Sequence, residues 1–170
     1  MSEEKLNLCC GFDVKEGWTN VDLYPINDKV IKADMLDLPV EWVNRFDEIL
    51  VSQCLEHVSY PDVPQALENI RMVLKPGGKC IFIVPDLEWG CETFFSAKEN
   101  TELKRWAFHT IFGNQDAPGE FHKCGFTEKV LLRLLANHKF EIVGFMASWT
   151  NNQKQFLAHV TKKEADNGKA

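Results

Sequence analysis

Val73-Leu74-Lys75-Pro76-Gly77-Gly78-Lys79-Cys80-Ile81-Phe82-Ile83-Val84-Pro85-Asp86 holds a helix end, a break and a strand in one short run. Upstream of it, apolar side chains recur at 63, 67, 70, 73 and 74, the spacing of one helical face. Asp62 with Gln65 three residues on reads as a variant capping box at the start of that helix. Pro76 cannot continue the helix and Gly77-Gly78 permits a left-handed turn, so the helix is expected to stop there. Lys79 to Val84 is then a nearly continuous apolar run of strand length. Such a run is expected in a central parallel strand covered on both faces, with Pro85-Asp86 marking its carboxyl end.

Toward the amino terminus the same alternation shortens. Leu6-Asn7-Leu8-Cys9-Cys10-Gly11 reads as a strand over Lys5 to Cys10 breaking at a glycine, and Trp18 to Asp22 as a second strand ending in an acid. The intervening Phe12 to Gly17 is too short for a long helix. Tyr24-Pro25-Ile26-Asn27-Asp28 is turn chemistry, and Lys29 to Ala33 is a brief third strand stopped at Asp34. Leu38-Pro39 closes that loop, with one helical turn expected at Val40 to Asn44. Phe46 to Val51 is a fourth strand, followed by the polar break Ser52-Gln53.

Toward the carboxyl terminus, residues 87 to 113 are aromatic-rich, with a helix expected across Thr101 to Ile111 and a polar loop at Gly113 to Glu120. Thr127 is a suitable N-cap for a helix through Asn137, whose apolar positions 130, 131, 134 and 135 form one stripe. Phe140 to Ser148 and Gln155 to Val160 read as two antiparallel strands turning at Asn151-Asn152, and Lys162 to Ala170 as a frayed tail. No repeat or domain boundary interrupts the chain. The sum is one domain over 1–170: a doubly wound, mostly parallel seven-stranded α/β sheet, Rossmann-like, whose last strand pair is antiparallel.

Composition narrows the function. With 170 residues, 45% hydrophobic and 11% aromatic, the chain can build one substantial core. A net charge of −6, with no block of lysines and arginines, argues against binding a nucleic-acid backbone but leaves a small-molecule substrate open. The polar, acidic Met1 to Lys5 is unlike a signal peptide and no apolar run approaches membrane-spanning length, so a cytoplasmic protein with no membrane partner is expected. Nothing in the sequence sets the oligomeric state. Six cysteines, at 9, 10, 54, 80, 91 and 124, form no CxxC pair and read as free thiols. His122-Lys123-Cys124 lacks a second ligand pair at zinc spacing, so no metal site is expected.

In an open α/β sheet, ligands bind beyond the carboxyl ends of the strands, where strand order reverses. The residues that fall there are Cys9, Cys10, Gly11, Asp22, Asp34, Met35, Ser52 to His57, and Pro85-Asp86. Two acids, a free backbone turn and small polar groups suit a nucleoside better than a phosphate. No Gly-x-x-x-x-Gly-Lys loop is present.

The succession of Leu6 to Gly11, Trp18 to Asp22, Ala33-Asp34-Met35-Leu36-Asp37-Leu38-Pro39, Phe46-Asp47-Glu48-Ile49, Leu55-Glu56-His57-Val58 and Val73 to Gly78, with Val84-Pro85-Asp86 after, resembles the motif order of class I S-adenosylmethionine-dependent methyltransferases. The likeness is to the small subgroup whose chain starts almost directly at the first strand. It covers residues 5 to 86 well and extends with less specificity to Phe112-Gly113 and His122 to Thr127.

The resemblance implies S-adenosylmethionine as cofactor, with Cys9, Cys10 and Gly11 approaching its methionine part. Asp22, with Leu23 beside it, would take the ribose hydroxyls, and Asp34 with Met35 would border the adenine. Ser52, Gln53 and Cys54 would run beneath the sulfonium, with His57 near the methionine end or the substrate mouth. Where Cys9 stands the family usually has glycine; many members have an acid at Asn7 and another glycine at Asp13. The acceptor implied is a small molecule, a sugar or related metabolite hydroxyl. His122 is the candidate catalytic base and Asp86 its rival. Two other readings stand beside this one. A non-catalytic module of the same fold would have lost the cofactor turn through Cys9. A nicotinamide-dependent oxidoreductase is disfavoured, because Leu8-Cys9-Cys10-Gly11 lacks the three-glycine pattern.

Overall fold

A computed structural model describes residues 3–150 and 152–163. Among them, β1 (Lys5–Leu8), β2 (Thr19–Asp22), β3 (Ile31–Lys32), β4 (Phe46–Ser52), β5 (Leu74–Pro85), β6 (Phe140–Thr150) and β7 (Gln153–Lys162) form one sheet. Its order is β3-β2-β1-β4-β5-β7-β6. Only β7 runs antiparallel to its neighbours. The chain begins mid-sheet at β1 and builds outward in both directions, so the strand order reverses between β1 and β4.

The register explains the core. Leu6 and Leu8 align with Ile49 and Val51 of β4, these with Cys80 and Phe82 of β5, and these with Val160 and Ala158 of β7. All are buried on one face. Against that face lie α1 (Val63–Val73), through Val63, Leu67, Ile70 and Val73, and α4 (Glu128–Asn137), through Leu131 and Leu135. These helical residues are the apolar stripes of the sequence, each worth about 1.5–3 kcal/mol when fully buried.

The opposite face differs from expectation. Leu50, Ile81, Ile83 and Leu157, which alternate with the core residues, are only half-buried, so β5 is fully covered on one side alone. The β1–β2 connection, residues 9–18, contains turns and no helix, so no crossover helix lies over β1 and β2. Over β1 and β2 a polar clamp replaces the missing layer. Asn7 Nδ2 donates to Asp13 O (2.7 Å) and to Asn20 Oδ1 (3.0 Å), and Asn20 Nδ2 donates to Lys15 O (2.9 Å). Both asparagines are buried and hydrogen-bonded, as buried polar groups require.

Three local readings are corrected. The capping box at Asp62 does not form: the 3-10 turn Tyr60–Asp62 runs straight into α1 with Asp62 already helical, and Gln65 donates to Asn69 instead. The aromatic segment contains a helix that the periodicity did not show, α2 (Leu87–Ser96), followed by α3 (Thr101–Phe112). Lys162 is no tail residue but ends β7, with its ammonium on Leu74 O at 2.7 Å. Residues 164–170, and Asn151 of the expected β6–β7 turn, lie outside the described residues, whereas Asn152 takes the left-handed φ of 66° that suits a hairpin turn. No helix among the described residues is long and apolar enough to cross a membrane.

Candidate active site

The carboxyl ends of β1, β2 and β4 converge at the reversal point. Cys9 leaves β1 with φ 55° and Gly11 follows with φ 49°, so the turn is left-handed at two positions. A Cβ on Gly11 would meet nothing within 4 Å, so its backbone faces open space. Gly11 N donates to Asp22 Oδ2 at 2.9 Å, and Tyr24 N to Asp22 Oδ1 at 2.8 Å. Asp22 therefore fastens the β1 turn to the end of β2 while each oxygen keeps a second lone pair. Leu23 beside it is partly exposed.

Asp34 forms an Asx turn with Leu36 N at 2.9 Å, and buried Met35 is fixed through its carbonyl by Asn69 Nδ2 at 3.0 Å. Ser52 ends β4. Gln53 takes φ 50°, donates its N–H to Ile83 O at 2.8 Å, and reaches Gln155 with its side chain at 3.0 Å. The free-thiol expectation fails at one pair. Cys9 and Cys54 are joined by a disulfide with Cα atoms 5.9 Å apart, because adjacent strands β1 and β4 end side by side despite a separation of 45 residues. Cys10, Cys80, Cys91 and Cys124 are free, and burial together with the Asp22 charge raises the Cys10 thiol.

Beyond β4 the 3-10 turn Leu55–His57 brings Glu56 and His57 against the loop carrying His122. Lys123 N and Cys124 N both donate to Glu56 O, at 2.8 and 3.2 Å, stitching the two segments together. The His57 and His122 rings lie 4.9 Å apart, edge to face. His57 Nδ1 is 3.0 Å from Phe121 O, and His122 Nδ1 is 3.1 Å from Thr110 O. A carbonyl can only accept, so each Nδ1 carries the hydrogen and each Nε2 keeps its lone pair.

Burial lowers both imidazoles. It brings His122 to about 4 with help from neighbouring His57, so His122 is not the neutrality-poised histidine of the sequence reading. Glu56 is 1% exposed, neither carboxylate oxygen has a hydrogen-bond partner, and burial pushes its carboxyl up to about 8. The backbone N–H groups of Glu56 and Cys54 pull the other way.

Asp86 stands apart from this group. It is buried, caps α2 by accepting from Trp89 N at 3.1 Å, and pairs with Lys154 at 2.9 Å. A cleft of about 240 Å³ lined by Glu3, Asp47 and Lys75 to Lys79 lies at the amino-terminal end of β4 and the start of β5. That is the wrong end of an α/β sheet for a ligand site.

Sequence spacing anticipated Asp22, Asp34 and the β4 break. It gave no hint of the Glu56–His122 encounter, since 66 residues separate them and only the fold closes the gap.

Residues 5–82 match the family model of a methyltransferase domain. The fold of the chain is that of solved S-adenosylmethionine-dependent methyltransferases. These structures share it at low identity. One from Methanosarcina mazei, an S-adenosylmethionine-dependent methyltransferase, is 20% identical over 95% of this chain and 92% of its own, with a TM-score of 0.68. The 1,6-didemethyltoxoflavin-N1-methyltransferase of Burkholderia thailandensis, with its substrate and S-adenosylhomocysteine bound, is 17% identical over 95% and 72%, with a TM-score of 0.64. The N-methyltransferase NodS of Bradyrhizobium japonicum, in complex with S-adenosylhomocysteine, is 15% identical over 95% and 79%, with a TM-score of 0.59. No curated protein matches the sequence.

Proposed function

We propose that this protein is a methyltransferase that transfers the methyl group of S-adenosylmethionine to a hydroxyl of a small metabolite of the sugar class. The observation that carries the cofactor half is Asp22, an acid with lone pairs to spare, tied to the open Gly11 turn where strand order reverses. In this reading the ribose hydroxyls donate to Asp22 with Leu23 alongside, and Asp34 and Met35 border the adenine. Cys9 to Gly11 and Ser52 to Cys54 flank the methionine, with His57 at its far end.

The acceptor half is supported by two neutral imidazoles with free Nε2 atoms, in a chain of net charge −6 that offers no footprint for nucleic acid. S-adenosylmethionine, when bound, would supply an electrophilic methyl group and leave as a neutral thioether, and His122 Nε2 would orient the acceptor hydroxyl, whose proton would pass to that nitrogen or to water. A base lowered to about 4 contributes by orienting the hydroxyl more than by holding its proton. Asp86 belongs to the fold instead, since its oxygens serve the α2 cap and Lys154.

The test is incubation with methyl-labelled cofactor and fractionated metabolite pools, alongside calorimetric titration of the cofactor. Label in a small hydroxylated product supports the reading. Label only in amines would refute the acceptor class, and absence of cofactor binding by folded protein would refute the site. His122→Ala should keep cofactor affinity and lower kcat.

A further inference from the structure

The structure assigns a divalent metal site of the zinc class to Glu56, His57 and His122. One ligand atom from each, a carboxylate oxygen and two imidazole nitrogens, lie within 4.8 Å of one another. A tetrahedral ion with bonds of about 2.0–2.2 Å needs them roughly 3.3–3.5 Å apart. The set therefore has only to tighten.

Two independent features point to an ion, and a third positions His122. First, Glu56 is a buried carboxylate with both oxygens unpartnered, 1% exposed, which is costly for a fold that satisfies its other buried polar side chains. Second, both histidines use Nδ1 on backbone carbonyls, Phe121 O and Thr110 O, and aim the lone pair of Nε2 elsewhere. That outer-shell arrangement fixes a metal-binding imidazole in tautomer and orientation. Third, the loop carrying His122 is built for close approach. Gly113 has φ 80°, and a Cβ there would lie 1.9 Å from Glu120 O and 3.0 Å from His122 Cδ2.

Two imidazoles and one carboxylate are the donor set of three-ligand zinc sites that keep an open position, which takes water or an oxygen or nitrogen donor of a small molecule. Cys124 is nearby, but its thiol donates to Leu55 O and Glu56 O and is not a ligand here. The site stands without the acceptor reading. Only its consequence rests on that reading: an ion on His122 Nε2 would take over the acceptor hydroxyl and replace the proton acceptor by a Lewis acid.

The experiment uses full-length protein stripped with chelator and titrated calorimetrically with Zn²⁺, then with Co²⁺ observed by absorption. One equivalent per chain is expected, with a cobalt spectrum free of the near-ultraviolet thiolate band. Glu56→Gln and His122→Ala should each weaken Zn²⁺ binding by about 100-fold or more, whereas Cys124→Ser should not change it. Thermal melts of the stripped variants verify folding, and Glu56→Gln, which keeps the volume and removes the ligating carboxylate, is the variant expected to fold intact. The assignment is overturned by no stoichiometric binding at low micromolar Zn²⁺. It is equally overturned by a thiolate band, or by Glu56→Gln binding as wild type. Because these readouts need no turnover, failure of the metal site and failure of the methyl-acceptor reading are separate results.

Discussion

Asp22 carries two loads at once, and separating them gives the sharpest test of the cofactor crevice. In the free protein its carboxylate accepts from Gly11 N at 2.9 Å and Tyr24 N at 2.8 Å. Hydrogen bonds to a charged acceptor contribute about 1.5–3 kcal/mol each. The Tyr24 N–H is exposed and rehydrates when the carboxylate is removed, so most of the loss falls on the partly buried Gly11 bond. Asp22→Ala should therefore cost about 2 kcal/mol, which lowers Tm by about 4–8 °C for a chain of this size. Asp22→Asn keeps one oxygen for Gly11 N and should lose less. Binding separates differently. Both ribose hydroxyls need the anionic acceptor, so Asp22→Ala should weaken S-adenosylmethionine by at least about 100-fold, near 3 kcal/mol. Asp22→Asn should weaken it by about 10-fold or more despite its milder Tm loss. Differential scanning fluorimetry without cofactor and calorimetry with it, both well below Tm, read the two effects apart. Wild-type affinity in Asp22→Asn would refute the ribose assignment, and an unchanged Tm in Asp22→Ala would refute the turn-fastening role.

Other expectations follow from neighbouring residues. Peptide mapping of unreduced protein should recover a Cys9–Cys54 cross-link, and reducing it should cost about 4 kcal/mol from loop closure over a separation of 45 residues; a melt indifferent to reductant would refute that. In reductant, Cys9→Gly should raise stability by about 1 kcal/mol over Cys9→Ser, because the left-handed φ of 55° costs any side-chain-bearing residue. Asp86→Asn, which retains the α2 cap, should keep cofactor affinity and turnover, whereas Asp86→Ala should lower stability by about 2–4 kcal/mol through loss of the cap and an unpaired Lys154; loss of kcat with intact Tm in Asp86→Asn would return it to the chemistry. Gly113→Ala should lower Tm and disturb the His57–His122 contact, checked by the imidazole resonances in NMR, since the new Cβ would collide with Glu120 O.

The parts of this fold legible in the sequence are those governed by local period. The stripe at 63, 67, 70 and 73 packs as α1, the run at 79–84 lies in β5, and Thr127 caps α4 through Val130 N at 3.4 Å. The readings that failed are those in which a local signal met tertiary context. Asp62 has the chemistry of a cap, but Tyr60–Asp62 enters the helix already turned, so no extended residue is available to cap it. Residues 87–96 hide a helix because their aromatics form no single stripe: Phe94 and Phe95 are exposed, Trp89 packs on Trp149 of β6, and the residue that meets Thr110 of α3 is Gly90. Lys79 to Val84 advertised two covered faces, but Ile81 and Ile83, which alternate with the core residues Cys80, Phe82 and Val84, are only half-buried.

The same division runs through the site. Asp22 is legible because it ends β2, and Asp34 because it stands in the turn just past β3, where the period stops and the chemistry changes. Cys9 was legible as a departure but not as half of a cross-link, since its partner lies on a strand adjacent in space and distant in sequence. Glu56, His57 and His122 carry the same lesson further. Glu56-His57 looks like a helix-capping pair and His122 like a loop anchor, and each bland reading is partly true: His57 does hold Phe121 O and His122 does hold Thr110 O. What the sequence cannot show is the remainder after those bonds are counted. Two imidazole lone pairs and one buried carboxylate are left over in three residues whose ligand atoms lie within 4.8 Å of one another, and a fold that satisfies Asn7, Asn20 and Asn69 with hydrogen bonds leaves only Glu56 unsatisfied among the buried side chains of the described residues. Since an unsatisfied buried carboxylate costs free energy unless a ligand offsets it, the contrast between Glu56 and those asparagines separates a binding site from a packing accident.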